Sequence, residues 1–411
     1  MEGRIALDEH RRFIVGLGLA QIVSWGTPYY AFPLIAVAME ADLGLSKPAL
    51  YGAATFGLSV GSLAAYPVGA AIDRGHGRTV LSLGSVLAAL LLCAWSQVGK
   101  LPPFYAVFAG IGVAQAMTLY DPVFAVAARR ATGEARAAIT ALTLWGGFAS
   151  TVFVPVTQAL LDRLGWRQAL AVLGALNLMI CVPLHLTVVE TEPRERAAAT
   201  STVAGRAATP RDVVRAVTRQ PAFVALAIAF TLYSGAFAAL TYHLYPLLLE
   251  RRLPEASVVA GIALIGPAQV AGRIVFWWLA RNLPIQGIGM ATVVALPLSL
   301  VMLIALPSSF AWLAGFAVIY GAANGVMTIV RGLAVPEMVT TAAYGELNGI
   351  LAVPASMARS VAPVAAAVLW SAFGSYDLVL DAALAMAVAS AASFWIVALH
   401  RGPLEYGRFE V

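Results

Sequence analysis

Runs of about twenty or more apolar residues recur from residue 13 to residue 399, each long enough to cross a ~30 Å hydrocarbon layer as a helix. They fall at about 13–39, 49–72, 79–98, 102–128, 138–161, 167–189, 222–249, 257–280, 284–306, 309–331, 346–373 and 376–399. A segment facing lipid must satisfy its own backbone hydrogen bonds, which leaves helices and closed barrels. Barrel strands would show as alternating stretches of about ten residues instead. The pattern therefore predicts an all-α integral membrane protein with twelve transmembrane helices. Composition agrees: 60% of the residues are hydrophobic and 11% charged, against roughly a quarter charged in a soluble domain, so a water-soluble surface cannot be made from this chain. The first run exceeds the apolar core of a secretory leader and is expected to be the first span.

Basic residues give the sidedness. With the N-terminus inside, eighteen arginines lie on the cytoplasmic side, among them Arg11, Arg12, Arg74, Arg78, Arg129, Arg130, Arg136 and Arg331. The opposite side has only Lys47, Lys100, Arg163, Arg167, Arg251 and Arg252. An odd number of spans would scramble that asymmetry, so both termini are expected in the cytoplasm of a bacterial-type inner membrane. The polar stretch 190–220 divides six runs from six. It is expected to be a cytoplasmic linker between an N-terminal six-helix bundle, 1–189, and a C-terminal one, 221–411. Inside it, Thr209-Pro210 reads as a helix start, with Thr as N-cap and Pro in the first turn.

Internal similarity supports the division. Ser150-Thr151-Val152-Phe153-Val154-Pro155 resembles Arg359-Ser360-Val361-Ala362-Pro363, with the prolines 208 residues apart. Ala71-Ile72-Asp73-Arg74 meets Leu279-Ala280-Arg281-Asn282 at the same offset, and Pro33 with Glu40 meets Pro246 with Glu250 at a slightly larger one. Three pairs at nearly one period favour duplicated halves.

Several function classes drop out. Cys93 and Cys181 both lie inside apolar runs, with no His or carboxylate spaced to complete a metal site, so neither a disulfide nor a bound metal is expected. The basic balance comes from short loops rather than an aromatic-basic cluster, which argues against nucleic acid. A nucleotide-binding motif and a cytoplasmic segment of domain size are both missing, which argues against an ATP-driven pump. Nor does any paired carboxylate, His-rich or Ser/Lys constellation at membrane depth suggest an enzyme or a resident cofactor. A sensor built on a carrier scaffold stays open.

The loop Gly69-Ala70-Ala71-Ile72-Asp73-Arg74-Gly75-His76-Gly77-Arg78 resembles the major facilitator signature between spans two and three, with the second Gly and its Arg one residue later than the common form. Glycines permit a tight turn there, and Asp73 can cap a neighbouring helix end or pair with Arg. Gly69, Asp73, Arg74, Gly77 and Arg78 are thus the expected conformational motif. Gly165-Trp166-Arg167 and the Pro155 segment also resemble this family. Ser24-Trp25-Gly26 with Tyr29-Tyr30, Tyr120-Asp121-Pro122 and Gly272-Arg273 look most like the branch of monocarboxylate and oxalate–formate carriers and related bacterial efflux permeases. Monocarboxylate carriers usually place an Asp four residues before the span-eight Arg, where this chain has Gln269. The resemblance implies two six-helix bundles, alternating access, a usually monomeric carrier, and a cavity lined by spans one, four, seven and ten.

Ionisable residues inside spans are costly, so they are candidates for the transport site. Arg359 is near the centre of span eleven, Arg273 lies in the inner half of span eight one turn from Gln269, and Asp121 is a carboxylate well inside span four. A central Arg costs roughly 2.5–3.5 kcal/mol, so Arg359 is expected to face protein, held by backbone carbonyls or Glu346, or to face solute. Asp121 is the candidate for proton coupling. On span one, Gln21, Trp25 and Tyr29 recur every four residues. On span ten Tyr320, Asn324 and Thr328 do the same, and span seven adds Tyr233, Thr241, Tyr242 and His243. Gln21, Trp25, Tyr29, Tyr233, Gln269, Arg273, Tyr320, Asn324 and Arg359 are the expected solute contacts. Two arginines and one aspartate favour an anionic solute such as a monocarboxylate; an efflux permease for a drug or a metalloid such as arsenite is the alternative.

Overall fold

The computed structural model describes residues 2–130, 135–190, 210–279, 283–305 and 309–399. Residues 191–209 of the expected linker, the Arg281-Asn282 member of the repeat and the tail after Leu399 lie outside the described residues.

Among the described residues, ten helical stretches are long and apolar enough to cross a membrane. Two of them, Ala49–Ser96 and Ala135–Val188, run 48 and 54 residues. At 1.5 Å per residue each is more than twice a ~30 Å layer. Both are broken at a glycine in the left-handed region, Gly75 (φ 85°) and Gly165 (φ 74°), so each is long enough for two spans, which leaves room for twelve among the described residues. The breaks fall where L side chains are strained and glycine is not.

By contacts the chain forms two compact units, Met1–Pro210 with Ala343–Ile350, and Arg211–Ala342 with Leu351–Val411. In the first, span one runs Glu2–Trp25, passes through a π-helical turn Gly26–Tyr30 and continues as Phe32–Leu43. Span two is Lys47–Ala71, span three Gly77–Ser96, and span four Leu101–Thr118 followed by Tyr120–Arg130. Span five opens with Ala135–Gly147, and Ala149–Leu176 carries the chain through Gly165 into span six, which ends in a second π-helical turn, Asn177–Cys181, and Val182–Val188. Trp95, Phe104, Phe108, Phe32 and Ile35 form the centre of this unit's core.

The second unit begins at Arg211, within the short helix Pro210–Val217, and continues into span seven, Pro221–Glu250. Span eight is Glu255–Ala263 with Ile265–Leu279, span nine Ile285–Ile304, and span ten Phe310–Ala334 with a π-helical end, Val335–Val339. Spans eleven and twelve are Tyr344–Phe373 and Asp377–Leu399. The first turns of span eleven, up to Ile350, group with the first unit.

Small residues set the tightest helix pairs in both units. Span two meets span four where Gly57 and Gly61 lie against the carbonyls of Phe108 and Gly112, and span eight meets span ten where Gly321 and Gly325 lie against those of Ile265 and Gln269. Without hydrophobic drive in lipid, such close backbone approach supplies the packing.

The end away from the Asp73 loop repeats as well. In the first unit Trp166 Nε1 donates to Asp42 at 3.1 Å, and Arg167 donates to the carbonyls of Ser96 and Val98 at 2.9 and 3.1 Å. In the second, Trp370 Nε1 donates to Glu250 at 2.8 Å, and Arg251 to the carbonyls of Leu303 and Ile304, both at 2.8 Å. Asp42 and Glu250 are 208 residues apart, the offset of Pro155 and Pro363. Asp42, not Glu40, is therefore the partner of Glu250 in the repeat.

Candidate functional site

In the first unit, the break in span four organises the site. Pro122 has no N–H, so the carbonyl four residues back, Thr118, loses its helical donor. The chain is extended at Leu119 (φ −82°, ψ −158°) before the helix resumes at Tyr120. Gln21, wholly buried, donates Nε2 to that Thr118 carbonyl at 2.7 Å. Gln115 Nε2 reaches the Pro28 carbonyl at 3.4 Å. Two irregular stretches, one in span one and one in span four, thus brace each other with amide side chains.

Beside this brace stands an aromatic panel. Trp25 packs on Tyr120 with ring centroids 4.9 Å apart and edge-on to Tyr29 at 5.1 Å, while Tyr29 meets Tyr30 at 5.2 Å. Tyr120 stacks on Phe124 and donates its hydroxyl to the Thr143 carbonyl at 3.2 Å. Trp25 Nε1 is buried without an acceptor among the described residues. Tyr29 is 37% exposed at the edge of the panel. The expected face Gln21, Trp25, Tyr29 is therefore divided, Gln21 spent on span four and the two aromatics open to the panel. Tyr30 and Tyr120 join them; the signal for Tyr120 was its position next to Asp121.

Behind the panel a polar seam ties span one to span six. Asn177 Nδ2 donates to Thr27 Oγ1 at 2.8 Å, and Cys181 Sγ lies 3.6 Å from both Ser24 Oγ and the Ala20 carbonyl.

The signature loop grips span eleven. Asp73 Oδ1 accepts from the Gly345 N–H at 2.9 Å and Oδ2 from the Glu346 N–H at 2.7 Å, capping the positive end of that helix. Arg129 Nη1 donates to the Asp73 carbonyl at 2.6 Å, and Arg74 lies 3.8 Å from Glu346. Gly69 sits against the Gly345 carbonyl, where a Cβ would clash, and Gly77 against Val126. Arg78 is half-buried at the start of span three. Asp73 lies in the turn between spans two and three, outside both. Burial pushes its carboxyl up to about 6, against the pull of the two backbone N–H groups and Arg129. One helical turn on from Gly345, Asn348 Nδ2 donates to Asp121 Oδ1 at 3.2 Å. Glu346, 1% exposed, is a second carboxylate inside a span, and it lies 13 residues, about 20 Å of helix, from Arg359. The reading in which Glu346 holds Arg359 is therefore wrong, and Arg359 is exposed on span eleven.

In the second unit, Tyr320 is fully buried, its ring stacked on Phe237 at 4.7 Å and its hydroxyl 2.6 Å from Thr241 Oγ1 and 2.9 Å from the Phe237 carbonyl. Tyr233 also stacks on Phe237, at 6.3 Å, with its hydroxyl buried and without a partner among the described residues. Asn324 and Thr328, half-buried, continue the Tyr320 stripe. Arg273, 7% exposed, donates Nε to the Gly325 carbonyl at 3.4 Å, on the face where half-buried Gln269 meets span ten. His243 bridges the Pro363 carbonyl at 2.9 Å and the Tyr376 hydroxyl at 3.1 Å, a helix-joining role.

A family model described as Major Facilitator Superfamily matches residues 17–301. Over 230 residues the chain is 30% identical to human monocarboxylate transporter 11, covering 53% of this chain and 45% of that protein. Over 317 residues it is 24% identical to Danio rerio monocarboxylate transporter 12-B, covering 67% and 64%. The chain thus spans about half the length of the human relative it matches. Its fold is that of the human organic anion transporter MFSD10 (TM-score 0.67, 18% identity, 94% of this chain and 98% of that one covered). The E. coli fucose:proton symporter FucP (0.68, 14%, 94% and 97%) and an outward-facing bacterial homologue of the iron transporter ferroportin (0.72, 13%, 94% and 99%) share it.

Proposed function

Because the chain belongs to the Major Facilitator Superfamily, and so is a multi-pass membrane transporter and not an enzyme, we propose that it moves a small organic anion such as a monocarboxylate by proton-coupled alternating access. Trp25 carries this reading: an indole N–H without an acceptor, buried in a membrane span, costs roughly 1–3 kcal/mol. A carboxylate oxygen is the complement of that donor, and the faces of Tyr29, Tyr30 and Tyr120 suit a short hydrocarbon body. The human and fish relatives bear the name monocarboxylate transporter, and one structural neighbour is titled an organic anion transporter, which supports the same class. In the second unit, Arg273 and Arg359 are the basic candidates for an anion. Asp121, hydrogen-bonded to Asn348 in the first turns of span eleven, is the proton carrier. The solute site lies near mid-membrane, the protein works as a monomer in a bacterial-type inner membrane, and both termini are cytoplasmic.

The test is counterflow of radiolabelled L-lactate and pyruvate in proteoliposomes with an imposed pH gradient. Trp25→Phe keeps the ring and removes the N–H, so it raises KM about tenfold with a smaller change in kcat. Arg273→Ala and Arg359→Ala each lower uptake, and Asp121→Asn abolishes the response to the gradient. Uptake of every anion tried that ignores both arginine variants sinks the anion reading, and resistance of a sensitive host to drugs or arsenite without anion flux gives the protein to efflux.

A further inference from the structure

We propose that the second unit holds one acyl chain of a membrane phospholipid in a groove between spans eight, nine and ten. Spans eight and nine each pack on span ten and barely on one another, so a furrow opens between them with span ten as its floor. Its volume is ≈ 930 Å³, and its lining includes Leu264, Val275, Leu283, Gly287 and Val318. Thr292 brings the one side-chain polar atom, and its hydroxyl already donates to the Ile288 carbonyl at 2.7 Å.

That lining selects the occupant. A carboxylate, peptide or nucleotide would bury polar groups with nothing to bond to, whereas a hydrocarbon loses nothing. Along span eight the groove runs from Leu264 to Phe276. That is roughly 18 Å of helix, close to the ~15 Å depth of one leaflet's hydrocarbon. Trp277 and Trp278, 48% and 75% exposed, follow Phe276 directly, at the end where an amphipathic indole meets the headgroup layer. Val275, Leu283 and Val318 are about half exposed, so the furrow opens sideways to lipid.

Gly287 keeps it open. Glycines 272, 321 and 325 each meet a neighbouring helix, but a Cβ on Gly287 would meet nothing within 4 Å. The first atom of a side chain at 287 therefore enters open space, so Gly287→Leu projects into the groove, with better helix propensity.

The experiment uses the purified full chain in nanodiscs of phosphatidylethanolamine and phosphatidylglycerol, with trace phosphatidylglycerol carrying a diazirine near the end of one acyl chain. Adducts mapped by peptide mass spectrometry are expected to concentrate on residues 264–276, 283–292 and 318–326. Gly287→Leu should lower their yield about tenfold, while adducts at the lipid-facing Leu83 and Leu90 stay constant. Ala291→Val, a smaller filling, should give an intermediate loss with an unchanged melting temperature. Adducts spread evenly over all lipid-facing residues, a yield indifferent to both substitutions, or cross-links joining two copies through these residues would each overturn the proposal. None of these readouts depends on which solute is carried.

Discussion

Gln21 shows what a single residue can and cannot disclose. Its spacing puts it on one side of span one with Trp25 and Tyr29, and Pro122, which has no N–H, leaves the Thr118 carbonyl without its helical donor. Nothing in a sequence says that a side chain 97 residues away fills that vacancy. Because the bond is buried, Gln21→Ala should cost about 1–3 kcal/mol of stability, read as a lowered melting temperature in detergent, whereas Trp25→Phe, which removes an N–H without an acceptor, should not lower it. A Gln21→Ala protein of full stability but raised KM would return Gln21 to the solute. Arg359 teaches the complementary lesson: its cost in lipid was legible, but its surroundings were not, because a carboxylate on its own helix is no neighbour at 13 residues' remove.

At the scale of the element, the signature loop was legible as a turn whose Asp could cap some helix. Which helix could not be read, since the two N–H donors lie 272 and 273 residues downstream. The contact makes a pH prediction whose sign is fixed. In the folded protein burial raises the Asp73 carboxyl from 3.8 to about 6, while the Gly345 and Glu346 N–H groups of span eleven and Arg129 pull it down. The folded protein thus binds the proton more tightly than the unfolded chain, a contribution to stability that is fully present below about 4 and lost as pH rises through 6. The melting temperature in detergent should therefore rise between pH 7.5 and pH 5 by more in the native protein than in Asp73→Asn. Asp73→Asn, which keeps one acceptor oxygen for two N–H donors, should also lower the protection of the amides in 345–350 from hydrogen exchange. Gly69→Ala tests the same contact by shape: its Cβ would strike the Gly345 backbone, so protection of that segment should fall without any new pH dependence.

For the whole molecule, hydrophobic length foretold an all-helical membrane fold whose long apolar stretches, among the described residues, leave room for the twelve expected spans, because lipid forces the backbone of each run into a helix. The duplication was legible in Pro155 and Pro363, but the matched pair Asp42 and Glu250 became visible only through the tryptophans that bond them. Sidedness rests on arginine counts, and it yields a prediction that involves the entire chain. With Cys93 and Cys181 replaced by Ala, a single cysteine at Gly99 stands in the loop between spans three and four, where a Cβ meets nothing within 4 Å. One at His76 stands exposed in the loop between spans two and three. One crossing separates them, so a membrane-impermeant maleimide applied to intact cells should label Gly99→Cys and spare His76→Cys until the membrane is permeabilised. The reverse pattern would invert the protein and move the arginine-rich face outside, while labelling of both in intact cells would break the assignment of span three. Since the Asp73 grip lies on the His76 side, the same result decides which compartment's pH that carboxyl senses.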